Sequence, residues 1–163
     1  MRTDAPSALV QVKRTLDATP EELFRAWTDP QLHERWFKPR GASFRVVEMD
    51  ARVGGRYRIE AKRFGQPWCL VGEYLEVSPP SRIVYTFAWE SVPVPLVTLT
   101  DSRVTVEFLP LADARRTEIV VTHERLHTRT LRILHGWGWH DTLATLQRNL
   151  TRGPAASGAP DRV

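Results

Sequence analysis

About ninety residues in the middle of this chain place apolar side chains at nearly every second position. They are flanked at both ends by segments whose apolar residues recur at helical spacing. Before them, Val10, Val12 and Leu16 suggest a first strand. Thr19-Pro20-Glu21-Glu22 then opens a helix with a capping hydroxyl, a proline at the first helical position and acids at the positive end of the dipole. Leu23, Phe24 and Trp27 form its stripe, and Asp29-Pro30 ends it and starts a second short helix to about Phe37, closed by Pro39 and Gly41.

From Phe44 the period is two. Turns are expected at Val53-Gly54-Gly55-Arg56, Phe64-Gly65-Gln66-Pro67, Ser78-Pro79-Pro80-Ser81 and Asp113-Ala114-Arg115-Arg116, with a loop or irregular edge around Pro93 and Pro95. Glu73 and Glu76 break the alternation of one strand, which a β-bulge near Tyr74 would accommodate. The last strand is read over Thr117–His123 and a long helix from about Thr128 to Leu150. The expected count is seven strands, with two short helices after the first and one long helix after the last. Such an α+β chain curls its antiparallel sheet around the final helix. Residues 9–150 are expected to be one domain, 1–8 a flexible N-terminus and 151–163 a disordered Pro/Gly/Ala tail.

On the final helix Trp139, Leu143, Leu146 and Leu150 share a face. Above Trp139 that face changes to Gly136, His135 and Arg132, which cannot fill an apolar core. The lower helix is therefore expected to seal the sheet and the upper helix to line a space. Trp36, Phe44, Tyr57, Trp68, Tyr85, Trp89 and Trp139 are the expected aromatic lining, with His123, Arg132 and His135 as polar anchors. Trp27, Phe37 and Phe87 are read as core packing. A dry void of ~300 Å3 would cost around 7 kcal/mol against a total stability of ~5–15, so water or a ligand must occupy it, or side chains must collapse into it.

Other chemistry is poorly supported. His123-Glu124-Arg125-Leu126-His127 matches the zinc-protease pattern H-E-x-x-H, but the β-branched run before it puts His123 at a strand end, where residues four apart do not converge. His135 and His140 are about 140° apart around a helix, so they cannot share a metal. Cys69, the lone cysteine, is read as a buried inert thiol that fits a reducing cytoplasm. No metal site and no cofactor is expected. The net charge of +4 invites a nucleic-acid reading, but the 23 basic residues are dispersed among 19 acidic ones. The nearest cluster, Arg52, Arg56, Arg58, Lys62 and Arg63, reads as a solvated sheet face, so no nucleic-acid partner is expected. There is no signal-peptide pattern and no stretch near the ~20 apolar residues of a membrane span.

Phe24-Arg25-Ala26-Trp27-Thr28-Asp29-Pro30, Arg35-Trp36-Phe37, Gly54-Gly55, Gly72-Glu73-Tyr74 through Pro79-Pro80 to Val84-Tyr85-Thr86, Thr122-His123-Glu124 and His135-Gly136-Trp137 together resemble the activator of heat-shock-protein-90 ATPase homologue-like family of the START/birch-allergen superfamily. The resemblance spans roughly residues 9–150. Phe37 stands where the family often has a second tryptophan. The resemblance implies a helix-grip fold, a seven-stranded antiparallel sheet wrapped on the C-terminal helix, and binding of small hydrophobic or lipid-like molecules. Some members of the superfamily are cyclases or hydrolases, so an enzyme using His123 or His135 as acid/base is the alternative, with catalysis not favoured. The eukaryotic co-chaperone that names the family has a further N-terminal domain, for which there is no room before Leu9. A chaperone partner and a stress-response role are therefore the weaker implication, and a homodimer is compatible.

Overall fold

The computed structural model describes residues 8–38, 42–63, 65–91 and 98–151. The expectations for the two termini, for Pro39 and Gly41, for Phe64 and for the Pro93–Pro95 stretch lie outside them. In chain order the elements are β1 (Leu9–Leu16), α1 (Pro20–Thr28), α2 (Pro30–Trp36), β2 (Ala42–Met49), β3 (Arg56–Arg63), β4 (Gln66–Ser78), β5 (Arg82–Ser91), β6 (Ser102–Pro110), β7 (Thr117–Glu124) and α3 (Arg129–Thr151). The strands form one sheet in the order β1-β7-β6-β5-β4-β3-β2. Every pairing is antiparallel. This is the helix-grip arrangement that the family resemblance implies and the order of elements expected from the pattern: a meander from β2 to β7, closed at one edge by β1.

Because β1 and β2 are the opposite edges, the chain must cross the sheet between them, and α1 and α2 make that crossing. Thr19 and Glu22 form a reciprocal cap on α1: the Thr19 hydroxyl accepts from the Glu22 amide at 3.2 Å and Glu22 accepts from the Thr19 amide at 3.1 Å. Asp29 closes α1 and its carboxylate caps α2 through the amides of Gln31 and Leu32.

Two glycines shape the sheet by close approach. A Cβ on Gly55 would stand 1.9 Å from the Asp50 carbonyl oxygen in the β2–β3 turn. On β4, a Cβ on Gly72 would stand 2.0 Å from the Thr86 carbonyl oxygen and 2.4 Å from the Tyr57 ring. The Tyr57 ring lies over this bare backbone and its hydroxyl donates to the same Thr86 oxygen at 2.6 Å. The β4–β5 register shifts between Tyr74 and Glu76, the bulge that the two glutamates suggested, leaving Tyr74 buried and Leu75 exposed.

The core is the concave face of the sheet under α3. Leu16, Ile83, Val104, Val106, Phe108, Ile119 and Val121 meet Leu143 and Leu146, all at 1% exposure or less. The lower helix is also tied by Gln147, which accepts from the Arg14 Nε at 2.8 Å, and by Asn149, which donates to the Arg35 carbonyl at 3.1 Å. On the outer face Arg52 pairs with Asp50, and Arg58 with Glu60 and Glu90, so two members of the basic hairpin cluster are neutralised locally.

Candidate functional site

Halfway up α3 the packing changes, for a reason visible in the residues. Below Trp139 the helix presents leucines to the sheet. Above it the residues on the cavity side are Leu134, His135 and Gly138, of which the glycine has no side chain and the histidine is polar. A cavity of about 190 Å3 lies between this part of α3 and the sheet, walled by Phe37, Phe44, Trp68, Phe87, Trp89, Leu134, His135, Gly138, Trp139 and Thr142. None of these residues carries a formal charge. Phe44 and Trp68 also border a broader groove of about 550 Å3 at the β2–β4 corner, lined otherwise by polar and charged residues such as Arg45, Arg58 and Glu60.

Five of the ten expected site residues meet around this cavity: Phe44, Trp68, Trp89, His135 and Trp139. The other five are elsewhere. Trp36 packs on Trp27 with ring centroids 4.5 Å apart, and its indole N–H donates to the Ala26 carbonyl at 2.8 Å. Tyr57 and Tyr85 lie deeper, around a second space of only about 10 Å3, room for about one water. The Tyr85 hydroxyl accepts from the Trp27 indole at 3.3 Å. Arg132 turns away and donates to the Leu126 carbonyl at 2.8 Å, tying α3 to the preceding loop. His123 is wholly buried beneath the cavity wall.

The interior is thus plugged in its lower half by the protein's own aromatics and hollow in its upper half. Phe37 and Phe87, which sequence reasoning treats as core, border both spaces and divide them. Sequence reasoning does not single out Leu134, Gly138 or Thr142, which complete the wall. A glycine inside an otherwise helical pattern is the available signal.

The two histidines beside the cavity have fixed protonation states, set by their partners. An indole N–H can only donate. Trp139 Nε1 donates to His123 Nδ1 at 3.1 Å, so the imidazole proton sits on Nε2 and is donated to Ser102 Oγ at 2.8 Å. The Ser102 hydroxyl in turn donates to the Phe87 carbonyl at 2.5 Å. Likewise Trp89 Nε1 donates to His135 Nε2 at 3.3 Å, while His135 Nδ1 donates to the Leu131 carbonyl at 2.9 Å. Protonating either ring would set an N–H against an indole N–H. Burial, reinforced by the neighbouring His135, pulls the His123 pKa down to about 3. Burial also lowers that of His135, against the opposing pull of the Leu131 carbonyl.

This bears on the motifs. His123 lies on β7, Arg125 takes a left-handed conformation with φ of 66°, and His127 is exposed beyond the strand, so the H-E-x-x-H letters do not form a helical metal site. Among the described residues no three His, Cys, Asp or Glu side chains converge as metal ligands. Cys69 is buried on β4, where burial and then the adjacent Glu90 push its thiol pKa up.

No helix among the described residues is long and apolar enough to cross a membrane. Similar solved structures include a Chromobacterium violaceum protein at 30% identity, covering 87% of this chain and 96% of that one with a TM-score of 0.75. A Staphylococcus epidermidis protein follows at 22% identity, 98% and 99% coverage and a TM-score of 0.76. The AHSA1 protein of Silicibacter pomeroyi is 20% identical, with 90% and 99% coverage and a TM-score of 0.76. No functionally curated protein matches. The family model described as Activator of Hsp90 ATPase homolog 1-like protein matches residues 17–151, and with that span of agreement the chain belongs to this family.

Proposed function

We propose that the protein is a receptor for a small, uncharged hydrophobic or aromatic molecule held between the upper half of α3 and the sheet. The observation that supports this most directly is the cavity of about 190 Å3, walled mainly by aromatic rings and lined by no charged side chain. An apolar space with few polar groups is the usual form of a small-molecule site. The Trp89–His135 pair supplies a polar point on its wall, an indole N–H donated to an imidazole nitrogen at 3.3 Å. The buried, unpaired Cys69 suits a reducing compartment, and we place the protein in the cytoplasm on that ground.

A reaction in the same cavity would need a free acid or base. Both His123 nitrogens are engaged within the protein, and the His135 lone pair already faces an indole N–H. We therefore assign binding and no reaction.

Native mass spectrometry of freshly purified protein, followed by thermal melting against a panel of neutral aromatics, tests this reading. A co-purifying small molecule is expected, together with a melting shift equivalent to about 2.7 kcal/mol at one hundred times Kd. Protein that carries nothing and whose melting no member of the panel moves would refute it.

A further inference from the structure

Helix α3 carries two glycines, Gly136 and Gly138, near its middle. Each weakens a helix by about 1 kcal/mol relative to alanine. At Gly55 and Gly72 a side chain is forbidden by backbone oxygens about 2 Å away; at Gly136 and Gly138 a Cβ would meet nothing within 4 Å beyond the adjoining turns of its own helix. Neither has a positive φ. Packing and backbone conformation therefore leave both positions open to alanine, and a different reason is needed at Gly138, because it forms part of the cavity wall with His135 and Thr142.

We infer that Gly138 determines the specificity of the cavity: its missing side chain leaves a bare strip of helix backbone against which a planar, uncharged guest of one or two fused rings lies. The inference rests on the receptor reading above. The volume sets the size class. An engineered apolar cavity of about 150 Å3 holds benzene, and sites for drug-sized ligands start at about 300 Å3. At about 190 Å3 this cavity falls between them. Long acyl chains and sterol-sized skeletons would have to extend beyond it. The neutrality of the guest follows from the wall, which has no charged side chain and whose histidine is held uncharged by Trp89 and Leu131.

The test is calorimetric titration with 2-naphthol and with phenol for the wild type, Gly138→Ala, Gly138→Leu and, as a control on the same helix, Gly136→Ala. Both alanine variants are expected to melt higher than the wild type through helix propensity. Gly138→Ala is expected to weaken 2-naphthol by about tenfold or more, the usual effect of one methyl group in a tight apolar site, and to affect phenol less. Gly138→Leu is expected to abolish binding of both, and Gly136→Ala to leave both affinities at the wild-type level. Wild-type affinity in the Gly138 variants, or an equal loss in Gly136→Ala, would overturn the role of Gly138 while leaving the receptor reading intact. A wild type that binds neither probe would overturn the size class and the receptor reading together.

Discussion

The Trp139 indole donates to Nδ1 of His123 across 3.1 Å, joining the middle of α3 to the end of β7 below the cavity. This bond starts a chain that passes through Ser102 to the Phe87 carbonyl on β5, with both His123 nitrogens and the Ser102 hydroxyl proton engaged. A closed relay of this kind in a buried setting makes each member sensitive to the loss of its neighbour. It also makes His123 part of the scaffold under the cavity rather than of its surface.

Trp139→Phe keeps most of the ring and removes the donor. The orphaned His123 nitrogen is expected to cost about 1–3 kcal/mol in urea denaturation. The freed lone pair should also raise the His123 pKa, which an NMR titration of its imidazole signals would show. Unchanged stability and titration would mean that the bond does not form in solution.

Acid sensitivity has a calculable sign. His33 and His123 are both pulled down to about 3 by burial, whereas unfolded histidine titrates near 6.5. Below pH 6.5 the unfolded chain binds protons that the native state refuses, so the stability present above that pH is lost as pH falls towards 3. With two such groups the slope approaches about 2.7 kcal/mol per pH unit. Urea midpoints between pH 6.5 and 5, above the range where carboxylates contribute most, should show this fall, and His33→Gln should shallow it. A flat profile in that window would contradict neutral burial.

Gly72→Ala is expected to be among the most damaging single-methyl changes on the sheet. Its Cβ would strike the Thr86 oxygen and the Tyr57 ring. The cost should be about 3 kcal/mol or more, because backbone oxygen cannot yield as a side chain can. Chemical denaturation checks this, and a loss below about 1 kcal/mol would show that the sheet absorbs the methyl group.

The two faces of α3 should respond very differently to truncation. Leu143 is wholly buried and Leu143→Ala is expected to cost about 2–5 kcal/mol. Trp137, six residues earlier and 68% exposed, is expected to change stability by less than about 0.5 kcal/mol when replaced by alanine. Equal effects would place the helix in the wrong rotation.

Nearly all of the fold was legible because each element carries its own local signal. Thr19 and Pro20 announce α1, Asp29 and Pro30 divide the two short helices, and large apolar residues at every second position mark one face of β5 and of β6. The Tyr74 bulge could be read from the conflict between Glu73 and Glu76 alone.

The site was only half legible, since an inward-facing aromatic looks the same in sequence whether it fills space or borders it. Trp36 and Trp89 both point inward, yet Trp36 is absorbed by Trp27 and the Ala26 carbonyl, while Trp89 reaches His135. That choice depends on which neighbours arrive from α1, α2 and α3, and pattern alone does not contain it. Gly138 was overlooked for a related reason: its contribution is an absence, visible only once the surrounding walls are in place.

Cocrystallisation with 2-bromonaphthalene, located by the anomalous signal of bromine, examines the cavity most directly. The expected result is a single strong peak bounded by Trp68, Trp89 and Gly138, with Trp139 and His123 unmoved below it. Crystals grown at saturating ligand that show no bromine there, with Phe37, Phe44 or Trp68 swung inward to occupy the space, would contradict the receptor account.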